Sequence, residues 1–108
     1  MFIDSLLSAW VQEGGYRKYH RTVSDAAEDI GTSSKELYLY FNARGMDFRS
    51  WRTSLRIEDA KRRIIENPDL PLSIIGRKSG FKDRSNFYNT FKSCTGLTPS
   101  QWRERNNL

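Results

Sequence analysis

Apolar side chains recur at helical spacing in successive stretches of the chain, each closed by a glycine or a proline. Ile3, Leu6, Leu7, Trp10 and Val11 share one face of a first helix, which Gly14-Gly15 stop. Thr22 can cap a second helix, with Asp25 three residues on. Val23, Ala26, Ala27 and Ile30 form its stripe, and Gly31 ends it. Ser33-Ser34-Lys35-Glu36 reads as a capping box opening a third helix, with Leu37, Tyr40 and Phe41 turned inward. Asp47 caps a long helix running to about Asn67, where Pro68 forbids continuation. Pro71 suits the first turn of a fifth helix ending at Gly80. Asp83 caps a sixth, which carries Phe87 and Phe91 and ends at Gly96. Thr98-Pro99-Ser100-Gln101 supplies a cap, a proline at the first helical position and a capping-box glutamine ahead of Trp102. The pattern predicts an all-α fold of about seven helices.

The pattern also repeats. Ala27 and Gly31 match Gly76 and Gly80 at an offset of 49, and Leu37 and Phe41 match Phe87 and Phe91 at 50. Gly45-Met46-Asp47-Phe48-Arg49-Ser50-Trp51-Arg52 matches Gly96-Leu97-Thr98-Pro99-Ser100-Gln101-Trp102-Arg103 at 51. A small residue followed four later by a turn glycine lets two helices cross closely, as in a helix-turn-helix. Trp51 and Trp102 should then be buried at equivalent places. The long helix shifts its apolar face from Phe48, Trp51 and Leu55 to Ile57, Ala60 and Ile64, as expected of a weld between two units. The plainer alternative is one seven-helix core without functional duplication.

Composition narrows the function. The 108 residues are 37% hydrophobic, enough for a core in a chain of this size. No apolar run approaches the ~18 residues that span a bilayer, so no membrane contact is expected of this segment. One cysteine, Cys94, excludes a disulfide scaffold, and with a single histidine, His20, no zinc site of usual ligand count can be assembled. The glycines are scattered, with no phosphate-binding loop. Glu28 with Asp29 and Glu58 with Asp59 are helix neighbours that point apart, so neither reads as an acid/base couple. Neither an enzyme nor a cofactor or metal site is expected.

Charge points to an anionic partner. Residues 1–42 hold four basic and six acidic side chains, a net −2, while 43–108 hold fourteen and seven, a net +7. Between 70 and 103, Arg77, Lys78, Lys82, Arg84, Lys92 and Arg103 face Asp83 alone. So one-sided a distribution fits a nucleic-acid footprint.

Gly80-Phe81-Lys82-Asp83-Arg84-Ser85-Asn86-Phe87, then Phe91-Lys92, then Gly96-Leu97-Thr98-Pro99-Ser100-Gln101-Trp102-Arg103 resembles the signature of AraC/XylS-type transcription regulators. Leu55-Arg56-Ile57-Glu58-Asp59-Ala60-Lys61 is similar to that family's linker helix, and the likeness covers roughly residues 20–105. The resemblance implies two homeodomain-like helix-turn-helix units joined by a linker helix and binding double-stranded DNA in adjacent major grooves. The expected organisation is an N-terminal helix and first unit over 1–46, the linker over 47–67 and the second unit over 68–108. Gly76 and Ser79 replace the family's usual alanine and apolar residue, which should loosen the fifth helix. Arg52 stands where the linker commonly has an apolar residue.

In such motifs the second helix enters the major groove with its N-terminal residues on base edges. The candidate base readers are Ser34, Lys35, Tyr38, Leu39 and Asn42 in the first unit, and Arg84, Ser85, Tyr88 and Asn89 in the second. Arginine can bridge guanine O6 and N7, and asparagine adenine N6 and N7, so Arg84 and Asn89 lead. Leu39 could only touch a thymine methyl or clear the groove. Ser33, Arg44, Lys82 and Lys92 are placed for phosphates, which position without specifying. Arg56 is assigned to ordering the linker, and Phe81, Phe87 and Phe91 to the core. The resemblance further implies a cytoplasmic activator that contacts RNA polymerase. No effector pocket can be read from the chain. We expect the output domain of a larger regulator, monomeric through these residues. The rival readings are a protein-interaction module on the same fold and a non-specific nucleic-acid binder. RNA modules usually need an aromatic sheet platform or a GXXG loop, both missing here.

Overall fold

The computed structural model describes residues 2–106. They form seven α-helices: α1 (Phe2–Gln12), α2 (Val23–Ile30), α3 (Ser34–Asn42), α4 (Phe48–Glu66), α5 (Leu72–Lys78), α6 (Arg84–Thr95) and α7 (Pro99–Asn106). A short 3-10 turn at Gly15–Arg17, absent from the sequence expectation, follows α1. No strand occurs among the described residues, and none of their helices is long and apolar enough to cross a membrane.

The caps form as local chemistry dictates. The side chains of Thr22, Ser33, Asp47, Asp83 and Thr98 accept from the amides of Asp25, Glu36, Ser50, Asn86 and Gln101, at 2.8–3.2 Å. Each satisfies one of the amides that a helix start leaves without an intrahelical acceptor. Of these five caps among the described residues, the Thr98–Gln101 box is the one reciprocal in full, since Gln101 Oε1 also accepts from the Thr98 amide at 3.0 Å. At α3, Glu36 instead takes hydroxyl donors, from Thr32 at 2.6 Å and Ser33 at 3.4 Å. Helix α5 starts one residue later than Pro71 was expected to begin it. Pro71 is the extended cap residue, and a proline ring has no cap acceptor.

Packing divides the chain into two units, one running to Thr53 and the other starting at Ser54. In the first, Leu7, Trp10, Ala26, Ala27, Leu37 and Phe41 are buried with Phe48 of α4. Trp10 stacks on Trp51 with ring centroids 6.2 Å apart, and Phe41 meets Trp51 at 5.1 Å. In the second, Ile57, Ala60 and Ile64 of α4 join Ile75, Phe81, Phe87 and Phe91, with Leu70, Leu72 and Trp102 against them. The two ends of α4 therefore serve different cores, as its shifting apolar face predicts. Trp51 and Trp102 occupy equivalent places, each against the matching phenylalanine, Phe41 or Phe91. Both are half-buried where full burial was expected, because each packs against its core from the edge, Trp51 on Trp10, Phe41 and Phe48 and Trp102 on the second cluster.

Polar groups tie each unit together. Trp10 Nε1 donates to Asp29 Oδ2 at 2.8 Å, and His20 Nε2 lies 3.2 Å from the same oxygen. That tryptophan hydrogen bond, then Lys18, holds the Asp29 carboxyl below its ordinary pKa. Tyr40, expected inward, is half-buried and donates its hydroxyl to Asp4. A phenol turned fully inward would lose that acceptor. In the second unit the buried Asp59 accepts from Arg62 at 2.8 Å and from Arg63 at 2.7 Å. Arg103 Nη2 donates to the carbonyls of Leu70 at 2.7 Å and Asn67 at 3.2 Å, clasping the turn before α5.

Candidate nucleic-acid interface

The crossing of α2 on α3, and of α5 on α6, decides what each second helix presents. Gly31 and Gly80 close the two turns at φ of 103° and 106°, a left-handed conformation that a side chain would strain. Ala27 and Gly76 are buried at the matching crossings. Gly76 was expected to loosen α5; instead the Phe87 ring fills the space that a β-carbon would take. Ser79 is fully buried, and its hydroxyl has no hydrogen-bond partner.

With Leu37 and Phe41 inward, α3 turns Ser34, Lys35, Tyr38, Leu39 and Asn42 to solvent. With Phe87 and Phe91 inward, α6 exposes Arg84, Ser85 and Asn89 and leaves Tyr88 half-buried. Arg84, Ser85, Tyr88 and Asn89 line one shallow concavity, so the structure brings the four α6 candidates together. Among the described residues, no carboxylate lies within ion-pair distance of Lys82, Arg84 or Lys92, all three exposed. Their charge is available to an anion.

The phosphate candidates of the first unit are more engaged. Ser33 is the cap of α3. The Arg44 guanidinium sits 3.5 Å over the Tyr40 ring, donates to the Tyr40 carbonyl at 2.9 Å and lies 4.0 Å from Asp4. Arg52 is half-buried over the Phe48 ring, and desolvation, then repulsion from Arg49, pushes its pKa down. Cys94 is exposed, while the His20 side chain is buried beside Asp29.

Beside each second helix runs a groove that the repeat duplicates. The first, about 450 Å³, includes Val23, Ser34, Leu37, Tyr38 and Arg49 in its wall. The second, about 310 Å³, includes Leu72, Arg84, Phe87, Tyr88 and Ser100. These residues pair at offsets of 49, 50, 50, 50 and 51. Reading single residues missed Arg49 and Ser100, but the offset of 51 would have found both.

The family model for the helix-turn-helix domain matches residues 26–105. The arabinose operon regulatory protein of Salmonella typhimurium is 33% identical over 85 residues, which cover 78% of this chain and 30% of that protein. The transcriptional activator NphR of a Rhodococcus species is 34% identical over 83 residues, 77% of this chain and 24% of that one. The chain thus spans less than a third of the length of these curated relatives. They are transcription regulators, a non-enzymatic role. Among solved structures, the C-terminal domain of the two-component response regulator yesN from Fusobacterium nucleatum superposes with a TM-score of 0.81 at 27% identity. It covers 95% of this chain and 99% of that one.

Proposed function

The chain belongs to the AraC/XylS-type family of DNA-binding helix-turn-helix regulators, and from that premise we propose that it binds specific sequences through α3 and α6 in adjacent major grooves. The observation that carries this reading is the α6 concavity. Arg84, Ser85, Tyr88 and Asn89 converge there, with donors and acceptors suited to guanine and adenine edges and no carboxylate to neutralise Arg84. Lys82 and Lys92 flank it as phosphate contacts, with Ser33 and Arg44 in the same role for the first unit. Base readout by the first unit falls to Ser34, Lys35, Tyr38, Leu39 and Asn42. Since adjacent major grooves lie about one DNA turn (~34 Å) apart along a duplex, one copy reading with both helices calls for an asymmetric site of about two turns and needs no partner copy. In its cell the segment acts in the cytoplasm as the output domain of a larger regulator. It activates transcription through contact with RNA polymerase.

Selection of bound sequences from a random duplex library tests this. The expected product is one asymmetric motif of about two turns. Tight binding with no enriched sequence would mean a non-specific binder, and no duplex binding a protein-interaction module.

A further inference from the structure

The two units carry the same fold and different surfaces. Up to Thr53 the chain has seven basic and seven acidic side chains, a net charge of zero. From Ser54 on it has eleven and six, so the whole formal +5 lies in the second unit. Helix α6 exposes arginine, serine and asparagine, and none of the large apolar side chains exposed among the described residues belongs to it. Helix α3 is the reverse. Tyr38 is 65% and Leu39 54% exposed, and Lys35, the one cation of the helix, has Glu36 beside it. The next cation along the chain, Arg44, is folded over Tyr40 toward Asp4. The groove beside α3 sets five apolar side chains, Val23, Leu37, Phe41, Met46 and Phe48, among the polar Ser34, Asn42, Asp47 and Arg49, whereas its counterpart beside α6 has only Leu72 and Phe87 with Ser73, Arg84, Tyr88 and Ser100.

A single exposed leucine on a protein surface is ordinary. Here it lies on the outward face of a groove helix, next to an exposed tyrosine, in a unit with no net charge. Leucine offers no donor or acceptor, and the apolar feature that a major groove displays is the thymine 5-methyl group. We infer that Leu39 is a specificity-determining residue of the first unit, packed on thymine methyls between the polar contacts of its neighbours on α3. The second unit carries the net charge and, in Arg84 and Asn89, the bidentate hydrogen-bond readers. This rests on the reading of α3 as a groove helix.

The test uses the duplex selected by the wild-type chain, with each thymine replaced singly by deoxyuridine. That change deletes the methyl and keeps the pairing edge. At one or two thymines, in the half-site whose preference Arg84→Ala leaves intact, affinity should fall about three- to fourfold, the effect of exposing one methyl-sized group. Leu39→Ala should bind the thymine and uracil duplexes equally, with the wild-type circular dichroism expected for substitution of an exposed residue. Equal affinity of the wild-type chain for both duplexes throughout overturns the inference, as does discrimination that survives in Leu39→Ala. Failure of the library to yield any enriched motif sinks base reading as a whole, and so is distinct from loss of the methyl effect alone.

Discussion

The α-carbon of Gly76 lies so close to the Phe87 ring that a β-carbon at residue 76 would stand 2.5 Å from Phe87 Cδ2. At the equivalent crossing the first unit has Ala27 and Leu37, both fully buried. The repeat thus nearly keeps the summed volume while shifting it toward the second helix, since an aromatic ring on α6 occupies the place of a methyl on α5. Interiors pack to nearly crystalline density, so neither half of such an exchange is tolerated without the other.

Gly76→Ala should therefore destabilise the chain by about 1–3 kcal/mol, although alanine is the better helix former by about 1 kcal/mol. Gly76→Ala combined with Phe87→Leu recreates the first unit's pair and should recover much of that loss. Chemical denaturation of the two single variants and the double variant gives the coupling. Strict additivity would mean that the two positions do not share the space.

Ser79 offers a gain. Its hydroxyl is buried without a partner, at the position where the first unit has the buried Ile30. An unsatisfied polar group in a core costs about 1–3 kcal/mol, so Ser79→Ala should raise the denaturation midpoint by the equivalent of about 1 kcal/mol. A lower midpoint would show the hydroxyl to be a net asset.

Acid should loosen the first unit through Asp29. Its carboxyl is held below the ordinary 3.8, chiefly by the Trp10 hydrogen bond. A lowered carboxylate pKa contributes stability that is complete above the unfolded value and disappears as pH falls through the folded value. Asp29→Asn should thus be less stable than the wild-type chain at neutral pH, with the gap closing below about pH 3.8. Urea midpoints for the two proteins from pH 2 to 7 would measure the closure. A gap constant across that range would assign the effect to packing.

Much of this was legible because it is local or repeated. The caps at Thr22, Ser33, Asp47, Asp83 and Thr98 lie within three residues of the amides they satisfy, and offsets of 49–51 align both crossings and both tryptophans. Contacts across long separations were not legible. Nothing in the run of residues says that Arg103, counted among the basic cluster, spends its guanidinium on carbonyls 33 and 36 residues away. Helical spacing alone turns Tyr40 inward and cannot anticipate the carboxylate of Asp4, 36 residues away. The adjacency of Glu58 and Asp59 says that the two point apart, and gives no sign that Asp59 is buried with two arginines on its carboxylate.

The readers and the positioners of the second unit should separate by what their loss does to sequence preference. Arg84 and Asn89 line the same concavity, with Arg84 at the first position of α6, where groove helices meet base edges most closely. They are five residues apart, about 140° around the helix, so they reach neighbouring base steps rather than one. Lys92 lies in the last turn of α6, exposed and unpaired with any carboxylate, where a cation meets the phosphate backbone. Losing a bidentate base contact costs about 1–3 kcal/mol at its own base pair and relaxes preference there. Losing a phosphate contact weakens all duplexes alike and lowers the salt slope by about one. Arg84→Ala should accordingly flatten the selected motif at one or two base pairs. Lys92→Ala should leave the motif unchanged and bind every duplex more weakly, with a shallower dependence on salt. Repeating the library selection and the salt titration with both variants decides the matter. A uniform loss of affinity in Arg84→Ala, with the motif intact, would make Arg84 a phosphate clamp and move base reading in this unit to Ser85, Tyr88 and Asn89.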